Sequence, residues 1–196
     1  MARCDQRSAD PSDGAGALSD VVLAGSLCRL RPYRNDDVDA LQAIANDPAV
    51  SRWMTSQFPY PYTRADAEAW VASVVQDSPP KSYAIEAGGS FAGSVGAYPQ
   101  RGEHRGCAIF GYWLGRAFWG RGIATDAART LARYALGDGG LRRLEATVFA
   151  PNAVSARVLE KAGFTFEARL RESYVERDGT VCDGLLYSRL ASDPEP

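Results

Sequence analysis

The segment Trp119-Gly120-Arg121-Gly122-Ile123-Ala124-Thr125 constrains the fold of this chain more than any other. It follows three strand-like runs and opens a helix whose apolar positions Ala124, Ala127, Leu131 and Ala135 recur at helical spacing. Glycines at 120 and 122 let the backbone turn sharply and bring successive N–H groups toward a ligand. The helix start adds about half a positive charge, so a phosphate is favoured there, and Arg116 and Arg121 add attraction at longer range. A strand-to-helix turn that binds nothing is the plainer reading, and the glycines alone do not separate the two. Two better-known loops fit less well. A Walker A loop needs Lys followed by Ser or Thr after its last glycine, and neither stands after Gly122. A dinucleotide fingerprint places Gly or Ala where this chain has Thr125, although Glu145 lies 20 residues beyond, as an acidic ribose partner would.

The organisation around this turn is that of one mixed α/β domain. Residues 1 to 24 are rich in Ser, Asp, Gly and Ala without periodicity and read as a flexible extension, leaving 25–192 as the folded domain. A short strand over 26–32 precedes Asn35-Asp36-Asp37, which offers caps for a helix carrying Val38, Leu41, Ile44 and Ala45. An aromatic, proline-bearing loop from Trp53 to Tyr62 leads to a second helix opened by Thr63 and Asp66. Lys81 to Glu86, Phe91 to Tyr98 and Cys107 to Leu114 then read as an antiparallel meander. After the glycine-rich turn come a helix to Leu136, a strand Arg143 to Phe149, a helix Ala153 to Ala162 and strands Phe164 to Leu170 and Cys182 to Leu190. Strand runs followed by alternating elements place helices on both faces of one sheet.

Charge and cysteine usage exclude several function classes. With 24 acidic and 22 basic side chains, the chain lacks the basic excess of a protein held to nucleic acid by bulk electrostatics. Cys4, Cys28, Cys107 and Cys182 form no C-x-x-C pair and the single histidine is His104, so no structural zinc site and no metal cofactor are expected. A triad through His104 is disfavoured because Gly102 to Gly106 reads as a polar turn. No apolar run is long enough to span a membrane and the first 20 residues have no signal-peptide core, so a cytoplasmic protein with free thiols is expected.

A second motif lies downstream. Asn152 is a good N-cap, Ser155 sits at the third helical position, and Gly163 suits a left-handed C-cap, duties that structure alone would explain. Taken in order, Gly111-Tyr112-Trp113-Leu114, then Trp119 to Thr125, then Asn152-x-x-Ser155 through Leu159-Glu160-Lys161-Ala162-Gly163-Phe164 resemble the GCN5-related N-acetyltransferases. Within that family the resemblance is to the branch, typified by the RimJ and RimL enzymes, that acetylates ribosomal-protein N-termini. Trp119 departs from the wider superfamily, which has Gln or Arg there, but matches this branch.

The resemblance implies a mostly antiparallel sheet of about seven strands, splayed between the fourth and fifth, and acetyl-CoA as cosubstrate. It implies that backbone N–H groups of Arg121, Gly122, Ile123, Ala124 and Thr125 hold the pyrophosphate, that Trp113, Leu114, Arg116, Trp119, Gly120 and Ser155 also bind the cofactor, and that Asn152, a candidate catalytic residue with Ser155, contacts the pantetheine or acetyl region. Many family members use a Tyr acid where this chain has Leu159; in the ribosomal branch the Ser matching Ser155 is the donor to the departing thiolate. A CoA thiol has a pKa near the value of about 8.5 for a free Cys, so its thiolate is a fair leaving group, and the rival reading dispenses with the acid and leaves Ser155 to capping. A backbone N–H near Tyr112 to Leu114 would meet the oxyanion. Related chains often carry Glu where this one has Ile109, which leaves Glu103, His104 and Glu172 as candidate bases, with a solvated turn as the rival for the first two.

An α-amino group titrates near 8 and a lysine near 10.4, so the missing base favours a protein N-terminus over a lysine side chain. Trp53, Met54, Phe58, Tyr60 and Tyr62, with Tyr112, Glu172 and Tyr174, are the candidate acceptor residues, and a core role for several of the aromatics is their rival. Asp66, Glu68 and Asp77 form either an acidic patch for a cationic acceptor or a solvated helix face. The expected partner is an amine, without nucleic acid or membrane, met by a monomer or homodimer. A small amine such as an aminoglycoside, polyamine or amino acid is the alternative acceptor. Two other classes are a non-catalytic acyl-CoA-binding module, motivated by Leu159 and Ile109, and a nicotinamide-dependent oxidoreductase, motivated by the near-miss fingerprint alone.

Overall fold

In a computed structural model, residues 21–196 are described. Eight strands form one sheet in the order β1-β2-β3-β4-β5-β6-β8-β7. They are β1 (Leu23–Ala24), β2 (Arg29–Arg31), β3 (Ser82–Ala87), β4 (Ser90–Pro99), β5 (Cys107–Leu114), β6 (Arg143–Phe149), β7 (Thr165–Val175) and β8 (Val181–Leu190). The helices are α1 (Val38–Ala45), α2 (Pro48–Ser51), α3 (Arg64–Val74), α4 (Ile123–Leu136) and α5 (Ala153–Lys161). The expected meander is present as β3, β4 and β5, each antiparallel to the next. Tyr83 and Ile85 on β3 belong to the core cluster that includes Ala127 and Leu131 of α4, whereas Ala84 between them belongs to the cluster of Leu41 of α1 and Val71 of α3. That alternation puts helices on both faces, as the element order implies.

The sheet has one strand more than expected. Leu23 and Ala24 pair with Leu30 and Arg29, so ordered structure begins inside the stretch assigned to the extension; residues 1–20 of that stretch lie outside the described residues. The physical reason is a tertiary tether. One carboxylate, that of Asp126 on α4, accepts the backbone N–H groups of Ser26 (3.0 Å), Leu27 (2.7 Å) and Cys28 (3.1 Å) and so fixes the β1–β2 turn. Asp37, expected as a cap, accepts the Arg34 N–H at 2.8 Å and is also buried in a bidentate ion pair with Arg31 at 2.6 and 2.8 Å. Strand β7 runs five residues past Leu170, through a register shift where Glu172 takes a positive φ of 50°.

The feature that makes a site is the single parallel pairing. β5 and β6 are hydrogen-bonded only at Cys107–Arg143, Ala108–Leu144 and Ile109–Glu145. Beyond Ile109, β5 continues to Leu114 and β6 to Phe149 without pairing to one another, so the sheet opens into a wedge there. This is the splay expected between the fourth and fifth strands, which become β5 and β6 once β1 is counted.

Candidate active site

Three elements converge on the mouth of the wedge, each for a local reason. Gly120 and Gly122 both adopt left-handed φ, 71° and 78°, which glycine reaches without a Cβ clash. Gly122 caps α4 with no side-chain bond, so among the described residues nothing in the chain competes for the first-turn N–H groups. The Trp119 indole N–H donates to the Leu114 carbonyl at 2.8 Å and ties the loop to the end of β5. On the other side of the wedge, the Asn152 side-chain oxygen accepts the Ser155 N–H at 3.2 Å and starts α5.

Between these elements lies a cleft of about 370 Å³. The expected residues Trp113, Leu114, Trp119, Gly120, Gly122, Ile123, Ala124, Thr125, Asn152 and Ser155 all line it, together with Tyr112 and Trp53. Arg116 and Arg121 do not; both are exposed, and Arg121 lies over the Phe118 ring at 6.0 Å. Two basic residues that the sequence reading missed, Arg157 and Lys161, take their place. They share one face of α5 with Val154 and Val158, a spacing legible in the sequence but equally that of a solvated helix face. Among the described residues no acidic side chain lines the cleft, so an anion there meets two cations and the α4 N-terminus.

The Tyr112 hydroxyl bridges the wedge. It lies 2.8 Å from Ser155 Oγ and 3.0 Å from the Ser155 carbonyl oxygen, to which it can donate. Burial pushes its ionisation well above that of a free phenol, the Ser155 contact opposing this only in part, so it stays protonated in neutral solution.

A second recess, about 560 Å³, adjoins the first and shares Met54 with it. Phe149, Tyr174, Glu176 and Arg177 line it on the β6 and β7 side, and Met54, Thr55 and Ser56 on the other. Phe149 packs against Tyr174 in a tilted pair with ring centres 4.5 Å apart and against Trp53 at 6.1 Å. Arg177 clamps the aromatic loop to the β7–β8 hairpin, donating from Nε to the Ser51 carbonyl at 2.7 Å and from Nη2 to those of Thr55 and Phe58.

Several candidates fall elsewhere. Glu103 and His104 form a helical turn before β5, at the Cys107 end of that strand, whereas the cleft is at the Leu114 end, about 23 Å away at the usual rise of an extended strand. Glu172 is exposed, its N–H bonded to Asp183 at 2.9 Å, and lines neither recess. Phe58 packs on Tyr62 (4.9 Å) and Trp113 (5.4 Å), Tyr62 is core, and Tyr60 is exposed, so of the candidate acceptor residues Trp53, Met54, Tyr112 and Tyr174 reach the recesses. Asp66 caps α3 with Thr63, Glu68 pairs with Arg64 on that helix, and Asp77 pairs with Lys81 after its end, so each of the three carboxylates already has a local partner.

A helix start with unengaged N–H groups beside an opened β5 edge is the arrangement that the resemblance implies, and known proteins share it. Residues 28–165 match the model of the acetyltransferase (GNAT) domain. The chain is 28% identical over 167 residues to the uncharacterized N-acetyltransferase p20 of Bacillus licheniformis, covering 82% of this chain and 91% of that one. It is 29% identical over 161 residues, 78% of this chain and 84% of the other, to the putative ribosomal N-acetyltransferase YdaF of Bacillus subtilis. The ribosomal L7/L12 alpha-N-protein acetyltransferase RimL, solved with coenzyme A, superposes with a TM-score of 0.77 at 21% identity over 87% of this chain and 98% of that one. The chain belongs to the GNAT family and is an acetyl-CoA-dependent N-acetyltransferase. Among the described residues, no helix is long and apolar enough to cross a membrane.

Proposed function

We propose that the protein acetylates the α-amine at the N-terminus of another protein, in one step within a ternary complex. The observation that carries this reading is the pair of adjoining recesses at the open wedge, one basic and glycine-edged, the other aromatic with a single carboxylate. Acetyl-CoA, when bound, supplies an activated acetyl thioester. The first-turn N–H groups of α4, with Arg157 and Lys161, would hold its phosphates, and the unpaired edge of β5 from Tyr112 to Leu114 would pair with its amide arm. A β5 N–H would receive the charge that develops on the carbonyl oxygen. Ser155, held by Tyr112, would donate a hydrogen bond to the departing sulfur.

The amine must lose its proton before it attacks. An α-amine with a pKa near 8 is already partly neutral at pH 7, so water suffices as the carrier. This supports an α-amine over a lysine, because among the described residues no carboxylate lines the cleft itself. The names of YdaF and RimL support the same acceptor. A small amine is the second reading, favoured by the carboxylate in the outer recess. The test is CoA release from acetyl-CoA with free-ended peptides, the same peptides blocked, and a panel of small amines. Release with the free-ended peptides alone is the expected result; turnover with small amines alone would replace this reading by the second.

A further inference from the structure

The outer recess contains one acidic side chain, Glu176, which is only 8% exposed. A carboxylate removed from water to this degree needs hydrogen-bonding or ionic partners, and it can accept about four such bonds. Its one ion-pair partner among the described residues is Arg52, at 3.4 Å through a single nitrogen. Tight charge-assisted bonds of this kind are about 2.7–2.9 Å long and often bidentate. The Arg52 side chain is itself 59% exposed and lies over the Trp53 indole at 4.7 Å. It therefore has a resting place of its own and can leave Glu176 at small cost. The other cation of the recess, Arg177, is committed to the carbonyls of Ser51, Thr55 and Phe58 and does not pair with Glu176.

Glu176 is thus a buried negative charge with a loose, displaceable partner, beside the aromatic faces of Phe149 and Tyr174. Such a setting takes a cation from solution. Charge preference and position both set that cation apart from the reacting amine. A carboxylate in contact with an ammonium favours its charged form, and a charged amine has no lone pair with which to attack. Glu176 also lines the outer recess alone, whereas Met54 lines both, so the reacting nitrogen belongs further in.

We propose that Glu176 binds a second, non-reacting positive group of the acceptor, displacing Arg52, so that the enzyme prefers amines that carry an ammonium or guanidinium besides the one acetylated. This rests on the reading of the outer recess as the seat of the acceptor. On a protein N-terminus the second charge is a Lys or Arg side chain close to the terminal residue; on a small acceptor it is the far amine of a diamine.

The experiment is steady-state CoA release with two matched pairs: free-ended peptides with Lys or norleucine near the terminus, and 1,4-diaminobutane or butylamine. The expected result is about a tenfold higher kcat/KM for the doubly charged member, the size of one partly buried charge contact, in whichever pair is accepted. Glu176→Gln should abolish that preference, and Arg52→Ala should lower the KM for the doubly charged member several-fold by removing its competitor. Equal rates within both pairs, or a preference that survives in Glu176→Gln, would overturn the proposal while leaving the acetyltransferase reading intact. No turnover of any acceptor by protein that still binds acetyl-CoA would instead remove the reading beneath it, and the proposal with it. If Glu176→Gln does not fold, Arg52→Ala decides: an unchanged KM for the doubly charged member overturns the proposal.

Discussion

Tyr112 Oη lies 2.8 Å from Ser155 Oγ across the opened wedge, and the same phenol reaches the Ser155 carbonyl at 3.0 Å. The phenol has one proton to give. If it goes to the carbonyl, the Ser155 hydroxyl must donate back to Tyr112; if it goes to Oγ, the serine proton is free for the cleft. Only the second arrangement lets Ser155 serve a ligand. Ser155→Ala should therefore lower kcat about 100-fold, with the KM for acetyl-CoA within a factor of two, and Tyr112→Phe should lower kcat about tenfold. Because the two act as one unit, the double variant should be no slower than Ser155→Ala alone. Effects that multiply would show that the residues act separately, and an undiminished Ser155→Ala would leave the serine as a helix-position residue.

The pH dependence follows from the same pair. Burial raises the ionisation of Tyr112, so it remains a donor until pH exceeds the ordinary phenol value of about 10. The acceptor must be neutral, so kcat/KM for a peptide should rise with pH through about 8 and then level off. A falling limb between pH 8 and 10 would mean that a proton donor in that range, other than Tyr112, is required.

The glycine-rich loop is predicted to fail at Gly122. Its φ of 78° is strained for any L side chain, and a Cβ there would meet Leu27 Cδ1 at 3.1 Å. Gly122→Val should weaken CoA binding at least tenfold by calorimetry while the far-UV circular dichroism stays native. Unchanged affinity in a folded variant would place the phosphates elsewhere. Arg157→Ala and Lys161→Ala should each weaken CoA binding several-fold, with a loss that shrinks as salt rises.

Much of this site was legible before any coordinates. The meander, the start of α4 and the Asn152 cap each announce themselves through local pattern, and local pattern is what sequence carries best. What escaped depends on which distant residues meet. Strand β1 exists because Asp126, a hundred positions away, gathers three N–H groups of the turn after it. Arg157 and Lys161 look like any solvated pair on α5 until the wedge opens beside them. Glu103 and His104 were polar residues next to the right strand, but nothing in a turn says which end of the strand will be the site. Arg177 sits in a hairpin whose partner loop lies about 120 residues earlier, so its clamp leaves no local trace.

That clamp holds the loop that walls the outer recess, where the acceptor is proposed to sit. Arg177→Ala should release the loop from Ser51 to Phe58 and lower kcat/KM for the acceptor about tenfold, more than it changes CoA affinity, because the β5 and α4 walls of the cleft remain. Arg177→Lys keeps the charge but not the planar fork and should rescue little. Full rescue by lysine would show that charge, not the three-carbonyl geometry, matters.

The acid limb of stability is assigned to the bond network that joins β6 and β8 to the edge strand β7. Arg143 at 2.5 and 2.7 Å, with the Ser188 hydroxyl at 2.6 Å, holds the Glu167 carboxyl down at about 2. A carboxyl depressed in the folded state contributes stability that is complete above its unfolded value of about 4.3 and is lost as pH falls from there toward 2. Glu167→Gln should therefore flatten the fall of Tm across that window and lower Tm at neutral pH. An acid limb as steep as in the parent chain would assign the effect to other carboxylates.

The most direct test of the account is intact-mass and fragment-mass spectrometry of a free-ended peptide containing an internal lysine, incubated with acetyl-CoA and the enzyme. The account predicts one acetyl group, on the α-amine, absent when the terminus is blocked and strongly reduced with Ser155→Ala. Acetyl on the lysine, or an unmodified peptide in the presence of folded enzyme that binds CoA and acetylates another amine, would contradict it.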